Sequence, residues 1–581
     1  MWPRLGSFSF NSVRLIRFKP TLLRNQPGFA SRRFSKAVNK NEIEEYGRRK
    51  GSKIAGRVFI SSILLGTVLY HTNDTAYDVM RHIAITTVRV SVVTHATLLC
   101  CYHYKRTLSK KYSSDEEYQE ALSKCHKKCA LIALRALEKN GGIHIKLGQH
   151  IGAMTYVLPP EWTSTMIPLQ DRCPQSSIKE IDELFRHDLK RGLTDVFETF
   201  DTEPIGVASL AQVHVATLKG SGKKVAVKCQ HLRLKEFVPL DVMLTQNVFN
   251  ALDFMFPEYP MSWLSDELQS SIYVELDFTK EAQNAINTAK YFSKYSKLTA
   301  LRIPQVISAD KRILIMEFVE GERLDNLKYL DDNKINRTEV SSCLSHIFNN
   351  MIFTPNVSIH CDPHGGNLAI RALEHPYAGH NFEIILYDHG LYRTPSTELK
   401  RDYAKFWLAL LDRDHEGMKK YLKKFANVTD EQFPILAAAI TGRSIETALN
   451  YDIKKTRSME EINQMKHALL KGSLLAQIMA ILSRVPRIVL LILKTNDLTR
   501  SLDESLENPL GLERTFLILA QYCAKTVYDE TRENIDQYYK KWSIRWIFNE
   551  LKAWVEYQRR KNQLVIYDIA SWWRSSAYSS M

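Results

Sequence analysis

Asp362 and Asn367 stand five positions apart in the segment His360-Cys-Asp-Pro-His364-Gly-Gly-Asn367. An aspartate there can take the proton of an attacking hydroxyl, and an asparagine oxygen can hold a divalent cation against phosphates. Gly365 and Gly366 let a short loop fold back, so both side chains reach one cleft. Downstream, Ile384-Ile-Leu-Tyr-Asp388-His-Gly390 reads as a buried strand ending in a carboxylate, a hard oxygen ligand suited to magnesium. Upstream, Lys224-Val-Ala-Val-Lys228 alternates in character and is β-branched, the pattern of a strand. In this order the three elements predict a site for ATP and Mg: Lys228 on the α/β-phosphates, Asn367 and Asp388 on the metal, Asp362 at the transfer point.

Elements must hold these groups in register. The Asp362–Asn367 spacing is that of the protein-kinase catalytic loop, and Asp388-His-Gly390 has the shape of the kinase metal-binding triplet. Between them and Lys228 lies Ile313-Leu-Ile-Met-Glu317-Phe-Val319-Glu-Gly321. A strand followed by glycine at this place suits a hinge, with the backbone around Glu317 and Val319 holding adenine. The fold expected is α+β: a bilobal protein-kinase-like fold with helical N-terminal and C-terminal extensions. Residues 131–315 take the N-lobe and the segment before it, 316–450 the C-lobe, and 451–581 a helical extension.

Three further motifs carry a resemblance: Lys146-Leu-Gly148-Gln149, Glu275-Leu-Asp277, and HCDPHGGN itself. The chain resembles the UbiB/aarF-domain atypical kinases, whose signatures read KxGQ, ExD and HxDPHPGN. The likeness runs from about residue 130 to about 500. The stretch from Val485 to Leu498 resembles the mitochondrial first subgroup of aarF-domain kinases. The family implies that KxGQ lies on a helix across the cleft. Lys146 and Gln149, three apart, would share one helix face and meet phosphates or the ExD carboxylates. Lys228 needs a carboxylate partner, Glu275 or Glu281. The family pattern favours Glu281 and leaves Glu275 and Asp277 to face Lys146. An obstructed cleft implies ATPase activity, or transfer to a small, lipid-like or isoprenoid substrate tied to coenzyme Q. The other reading is a nucleotide-gated pseudokinase scaffold that binds lipid or protein partners. Two departures stand out. The family's alanine-rich phosphate loop here contains Gly206 before Ala208 and Ser209, and Gly206 would give the backbone freedom to approach phosphate. Gly365 replaces the usual proline and loosens the unfolded loop.

Residues 1–41 hold nine basic and no acidic residues among Ser, Phe and Leu, the composition of a mitochondrial presequence; a basic tail is the alternative. Cleavage is expected within Arg32-Arg33-Phe34-Ser35, with residues 1–34 as the presequence. An apolar run over 54–71 follows Arg48, Arg49, Lys50 and Lys53 and precedes Asp74 and Asp78. It is expected to cross the inner membrane once, leaving the kinase-like region in the intermembrane space. A second apolar run, 83–101, contains Arg89 and His95 and reads as an amphipathic helix within a 72–130 linker. A second crossing would reverse the topology. Residues 395–540 show helical spacing. From Trp542 to Trp573, tryptophan and basic residues mix, which suits either a membrane interface or a helix packed on the lobe. Formal charge is +15, but it concentrates at the front end and no nucleic-acid motif accompanies it. Nine cysteines without a CxxC pair argue against a disulfide framework or structural zinc; Cys125 and Cys129 read as packed thiols.

Overall fold

The computed structural model describes residues 74–153, 158–170, 173–232, 234–257, 261–441, 447–448, 481, 484–508 and 511–579. The presequence, its cleavage site and the expected 54–71 crossing lie outside the described residues. The chain divides into two compact units, Met1–Ile83 and Ala84–Met581, and every side-chain contact described below lies within the second.

Helix α1 (Asp74–Ser109) is long and apolar enough over Val79–Ser109 to cross a membrane, by length and composition. One face nevertheless meets protein. Arg89 Nε donates to Asp241 at 2.9 Å, and its guanidinium lies 5.1 Å from the Phe237 ring. Further along, Cys101 is buried, and Trp162 Nε1 donates to Tyr104 Oη at 2.8 Å.

Helices α2 (Asp115–Asn140) and α3 (Ile143–Ala153) precede the first lobe. Gly141 and Gly142, at φ +66° and +56°, make the break between them, a conformation side chains with Cβ resist. Their apolar faces pack on α6 (Leu234–Met255) and α7 (Ser262–Glu275): Leu137, Ile143, Ile145 and Ile151 meet Val238, Val242, Leu264 and Ile272. All nine cysteines are free thiols, and Cys125 and Cys129 are buried.

The first lobe is built on a six-stranded sheet with β1 (Phe197–Phe200), β2 (Gly206–Val207), β3 (Ala211–Leu218), β4 (Lys224–Gln230), β6 (Val306–Ala309) and β7 (Ile313–Glu317). Its order is β1-β3-β4-β7-β6, with β2 on β3, all antiparallel. Alternation decides the position of Lys228. Val225, Val227 and Cys229 face Ile181, Leu184 and Phe185 of α5 (Ile178–Asp188). Successive strand residues point to opposite faces, so Lys228 faces the other way, towards α8 (Phe278–Phe292). There Phe278 and Ala282 pack on Ala211 and Leu314.

The second lobe carries β5 (Leu301–Arg302), β8 (Glu322–Arg323), β10 (Leu368–Tyr377) and β11 (His380–Leu386), in the order β5-β11-β10-β8, with β5 and β11 parallel. A separate pair, β9 (Ile359–His360) and β12 (Tyr392–Arg393), ties the loop at Asp362 to the segment after Asp388. Leu344, Ile347, Phe348 and Met351 of α9 (Arg337–Phe353) pack on Leu368, Ile370, Ile384 and Leu386. Beyond lie α10 (Thr397–Leu411), α11 (His415–Ala426), α12 (Phe433–Thr441), α13 (Arg487–Ser505), α14 (Gly511–Tyr538) and α15 (Ile544–Ser579). Tyr403, Phe406, Phe425, Ile492 and Cys523 belong to their shared core. The fold is kinase-like, with helical regions at both ends.

Candidate functional site

Lys228 Nζ lies 2.6 Å from Glu281 Oε1 and 3.1 Å from Asp388 Oδ2, so one ammonium serves two carboxylates. Burial alone would lower the Lys228 pKa; Asp388 and then Glu281 outweigh it and raise it. The two acids are driven apart. Burial pushes Glu281 up to about 7 despite Lys228, with the Asp388 charge adding to the rise. For Asp388, burial would also raise the pKa, but Lys228 and the Gly390 N–H outweigh it and hold the carboxyl well below its ordinary range. Gly390 N donates to Asp388 Oδ1 at 2.7 Å, and a Cβ on Gly390 would come within 3.1 Å of that oxygen. Glycine at 390 therefore keeps space beside the carboxylate.

Asp362 and Asp388 are joined through His360. Its Nε2 lies 2.9 Å from the Asp388 carbonyl, and its Nδ1 accepts the Asp362 N–H at 3.0 Å. Asn284 of α8 donates to the His389 carbonyl at 3.0 Å, linking the helix that carries Glu281 to the Asp388 turn. Asn367 Nδ2 donates to the Asp362 carbonyl at 3.1 Å, which leaves its Oδ1 as the oxygen donor.

The KxGQ residues lie on α3 and reach both lobes. Lys146 Nζ is 2.8 Å from Glu275 Oε2. Burial would lower the Lys146 pKa, but Glu275, Asp362 and Asp388 outweigh it and raise it. Gln149 donates to the Leu169 carbonyl at 3.0 Å and accepts Ser209 Oγ at 3.4 Å. A residue of the expected phosphate loop is thus held by α3. Glu275 Oε1 is buried without a hydrogen-bond partner, an oxygen still able to take a donor or cation.

Two expectations, for Asp277 and Gly206, are corrected in detail, and the hinge residues and Gly365 are placed without contradicting theirs. Asp277 does not turn to Lys146; it caps the N-terminus of α8, accepting Thr279 N at 3.2 Å and Thr279 Oγ1 at 2.6 Å. Helix N-termini leave backbone donors that an aspartate satisfies well. Gly206 supplies no left-handed turn: it pairs with Val213 as a strand residue and its φ is not positive. Ala208 follows that strand, its N–H donating to the Ala211 carbonyl at 2.8 Å. In the expected hinge, the Glu317 carboxylate binds Arg302 at 2.7 Å, and the Val319 carbonyl already accepts Tyr387 Oη at 2.9 Å. A Cβ at Gly365 would meet only ordinary contact with Leu502, and its φ is not positive.

One functional contact escaped the sequence. Lys494 Nζ of α13 is 2.9 Å from Asp362 Oδ1. Burial would raise the Asp362 pKa; Lys494, then Lys146 and His364, outweigh it and keep the carboxyl far below its ordinary range. The available signal was Lys494-Thr-Asn at the end of the apolar run from Ile488 to Leu493, a lysine carried into protein by its neighbours. His150, one turn beyond Lys146, is buried beside these charges. Burial and the positive charges of Lys494 and Lys146 hold its pKa well below the imidazole range.

Two lobes with a lysine, two aspartates and an asparagine gathered between them define a protein-kinase-like class. Residues 168–422 match the ABC1 atypical kinase-like domain. The chain belongs to the ABC1 (UbiB/AarF) atypical kinase-like family. It is 63% identical over 533 residues to the ABC1 family protein MCP2 of Saccharomyces cerevisiae, covering 91% of this chain and 93% of that protein. It is 47% identical over 460 residues to the ABC1 family protein MCP2 homolog of Schizosaccharomyces pombe, covering 79% and 82%. It is 33% identical over 496 residues to the AarF domain-containing protein kinase 1 of Mus musculus, covering 85% and 91%.

Proposed function

We propose that this chain binds Mg-ATP and uses it as an ATPase or phosphotransferase toward a small, lipid-like substrate at the mitochondrial inner membrane, with a role in lipid or coenzyme Q homeostasis. The observation that carries the reading is the convergence of Lys228, Glu281 and Asp388 within 3.1 Å. Asp388 and the Asn367 oxygen are hard donors, and magnesium is usually held by one or two such groups plus phosphate. The orphaned Glu275 Oε1 and the space at Gly390 fit an added cation and anion. When bound, magnesium would neutralise charge between the β- and γ-phosphates. Lys228 keeps Asp388 ionised and has a donor to offer an α/β-phosphate. Asp362, ionised beside Lys494, is suited to orient an acceptor hydroxyl or water. Lys146, paired with Glu275, and Gln149, bonded to the Leu169 carbonyl, support the family reading of an obstructed cleft, which favours water or a slender substrate. The acid-free leader and apolar front segments support the inner-membrane address, with the kinase-like domain facing the intermembrane space.

The full chain in proteoliposomes should turn over ATP only with magnesium, and Asp388→Asn should abolish turnover. Equal turnover in the variant rejects the catalytic assignment. The Lys494–Asp362 pair and the α3 contacts favour a second reading, a nucleotide-gated scaffold in which the aspartate stays paired. Magnesium-dependent ATP binding without turnover in the native chain selects it.

A further inference from the structure

Helix α15 presents its apolar side outward. Inward-facing residues recur every three or four positions and are tied to the body. Trp546 Nε1 donates to Asp536 at 2.8 Å, Glu550 pairs with Arg532 at 2.6 Å, the Tyr557 ring stacks on Tyr528 at 4.6 Å, and Arg560 pairs with Asp412 at 2.7 Å. The orientation of the helix is fixed by these contacts. Opposite them, Ile544 is 87% exposed, Phe548 67%, Leu551 56% and Val555 51%. Their spacing at three, four and seven places them on one stripe of an α-helix. Trp554 widens the stripe at 48% exposure, and Trp542 stands just before the helix at 80%. A soluble surface rarely leaves such a contiguous apolar stripe to water.

Charge says what covers it. Arg545, Lys552 and Arg559 are exposed and seven residues apart, so they form one row along the edge of the stripe. Lysine and arginine beside an apolar face can reach up to headgroup phosphates while the face enters the acyl boundary, and tryptophan prefers that same depth. We propose that α15 is an interfacial membrane-docking helix that lies flat on an anionic bilayer, with Ile544, Phe548, Leu551 and Val555 inserted and the Arg545–Lys552–Arg559 row on the lipid phosphates. This contact lies apart from the nucleotide site and stands whether or not ATP is hydrolysed.

The test uses the full chain reconstituted into vesicles whose acyl chains are brominated, made of phosphatidylcholine alone or with one-third phosphatidylglycerol. Bromine quenches only tryptophans at acyl depth. Native protein should lose more fluorescence than the Trp542→Phe/Trp554→Phe variant, and the difference should shrink in neutral vesicles and at high salt. Leu551→Asp, a change at an exposed position, should remove the difference while leaving the melting temperature unchanged. Equal quenching of the native chain and the double variant overturns the proposal. So does a dimer of the solubilised native chain that Leu551→Asp splits without any quenching difference, because the stripe then covers a second copy.

Discussion

Lys494 Nζ sits 2.9 Å from Asp362 Oδ1, and the loop from His360 to Asn367 holds no lysine or arginine of its own. The counter-charge for the expected transfer point is therefore imported from α13. Because burial favours the protonated acid and Lys494 is the largest opposing influence, removing that lysine must raise the Asp362 pKa. In the proposed role Asp362 works only when ionised, so the acid limb of the pH–rate profile should move to higher pH in Lys494→Met. Turnover at neutral pH should fall by about a hundredfold, the size seen when one preorganised group that stabilises charge at a reacting centre is removed. Lys494→Arg should restore most of it, since a cation returns. Steady-state turnover from pH 5 to 9 checks this. A uniform loss with no movement of the acid limb would assign Lys494 a packing role only. Asp388 differs: its opposing influences begin with Lys228, so Lys494→Met should leave magnesium dependence intact.

At the scale of elements, a lysine holds the approach to this loop. Lys400 of α10 is fully buried, and its Nζ donates to the carbonyls of Met351, Thr354 and Val357 at 2.7 Å each. Those carbonyls end α9 and lead into β9, where helix termini leave acceptors unpaired. Burial pushes the Lys400 pKa down to about 7, while three carbonyl oxygens favour the ammonium. Lys400→Met keeps the aliphatic volume and leaves the Met351 and Val357 carbonyls without this donor, while the Thr354 carbonyl keeps the Val357 N–H at 3.4 Å. It should cost about 2 kcal/mol or more in a denaturant titration, at about 1–3 kcal/mol per buried group left unsatisfied. A loss below about 0.5 kcal/mol, the size of ordinary surface changes, would contradict the capping role. Local patterns did reveal a strand through Lys228, the loop from His360 to Asn367 and a strand leading to Asp388, because apolar runs and short spacings are local features; β4 runs on to Gln230 and β11 stops at Leu386. Lys494 was not legible as a partner. Its contact spans 132 positions, and no local periodicity records such a pairing. Asp277 was misplaced because an N-cap and a site carboxylate look alike until the helix start is fixed. Gly206 was overread because glycine's freedom is a permission, and a strand residue makes no use of it.

Across the whole molecule, the proposed nucleotide site is where the two lobes meet. Lys228 comes from the first sheet, Asp388 from the end of β11 in the second, and Lys146 and Gln149 from a helix ahead of both. A ligand that binds these groups together binds only the folded arrangement, so it must stabilise the whole by mass action. At a hundredfold excess over its dissociation constant, Mg-ATP should add about 2.7 kcal/mol, read as an upward shift in the melting temperature of the detergent-solubilised full chain. A chelator should remove the shift by taking away the cation that Asp388 and Asn367 would share with the phosphates. Asp388→Asn should reduce it even with magnesium present. Lys494→Met should keep it, because Lys494 meets the transfer aspartate and not the expected metal ligands. Absence of any shift in the native chain would reject both nucleotide readings. A shift that survives the chelator unchanged would place ATP on the protein without the metal pair, and Asn367 and Asp388 would lose their assigned role.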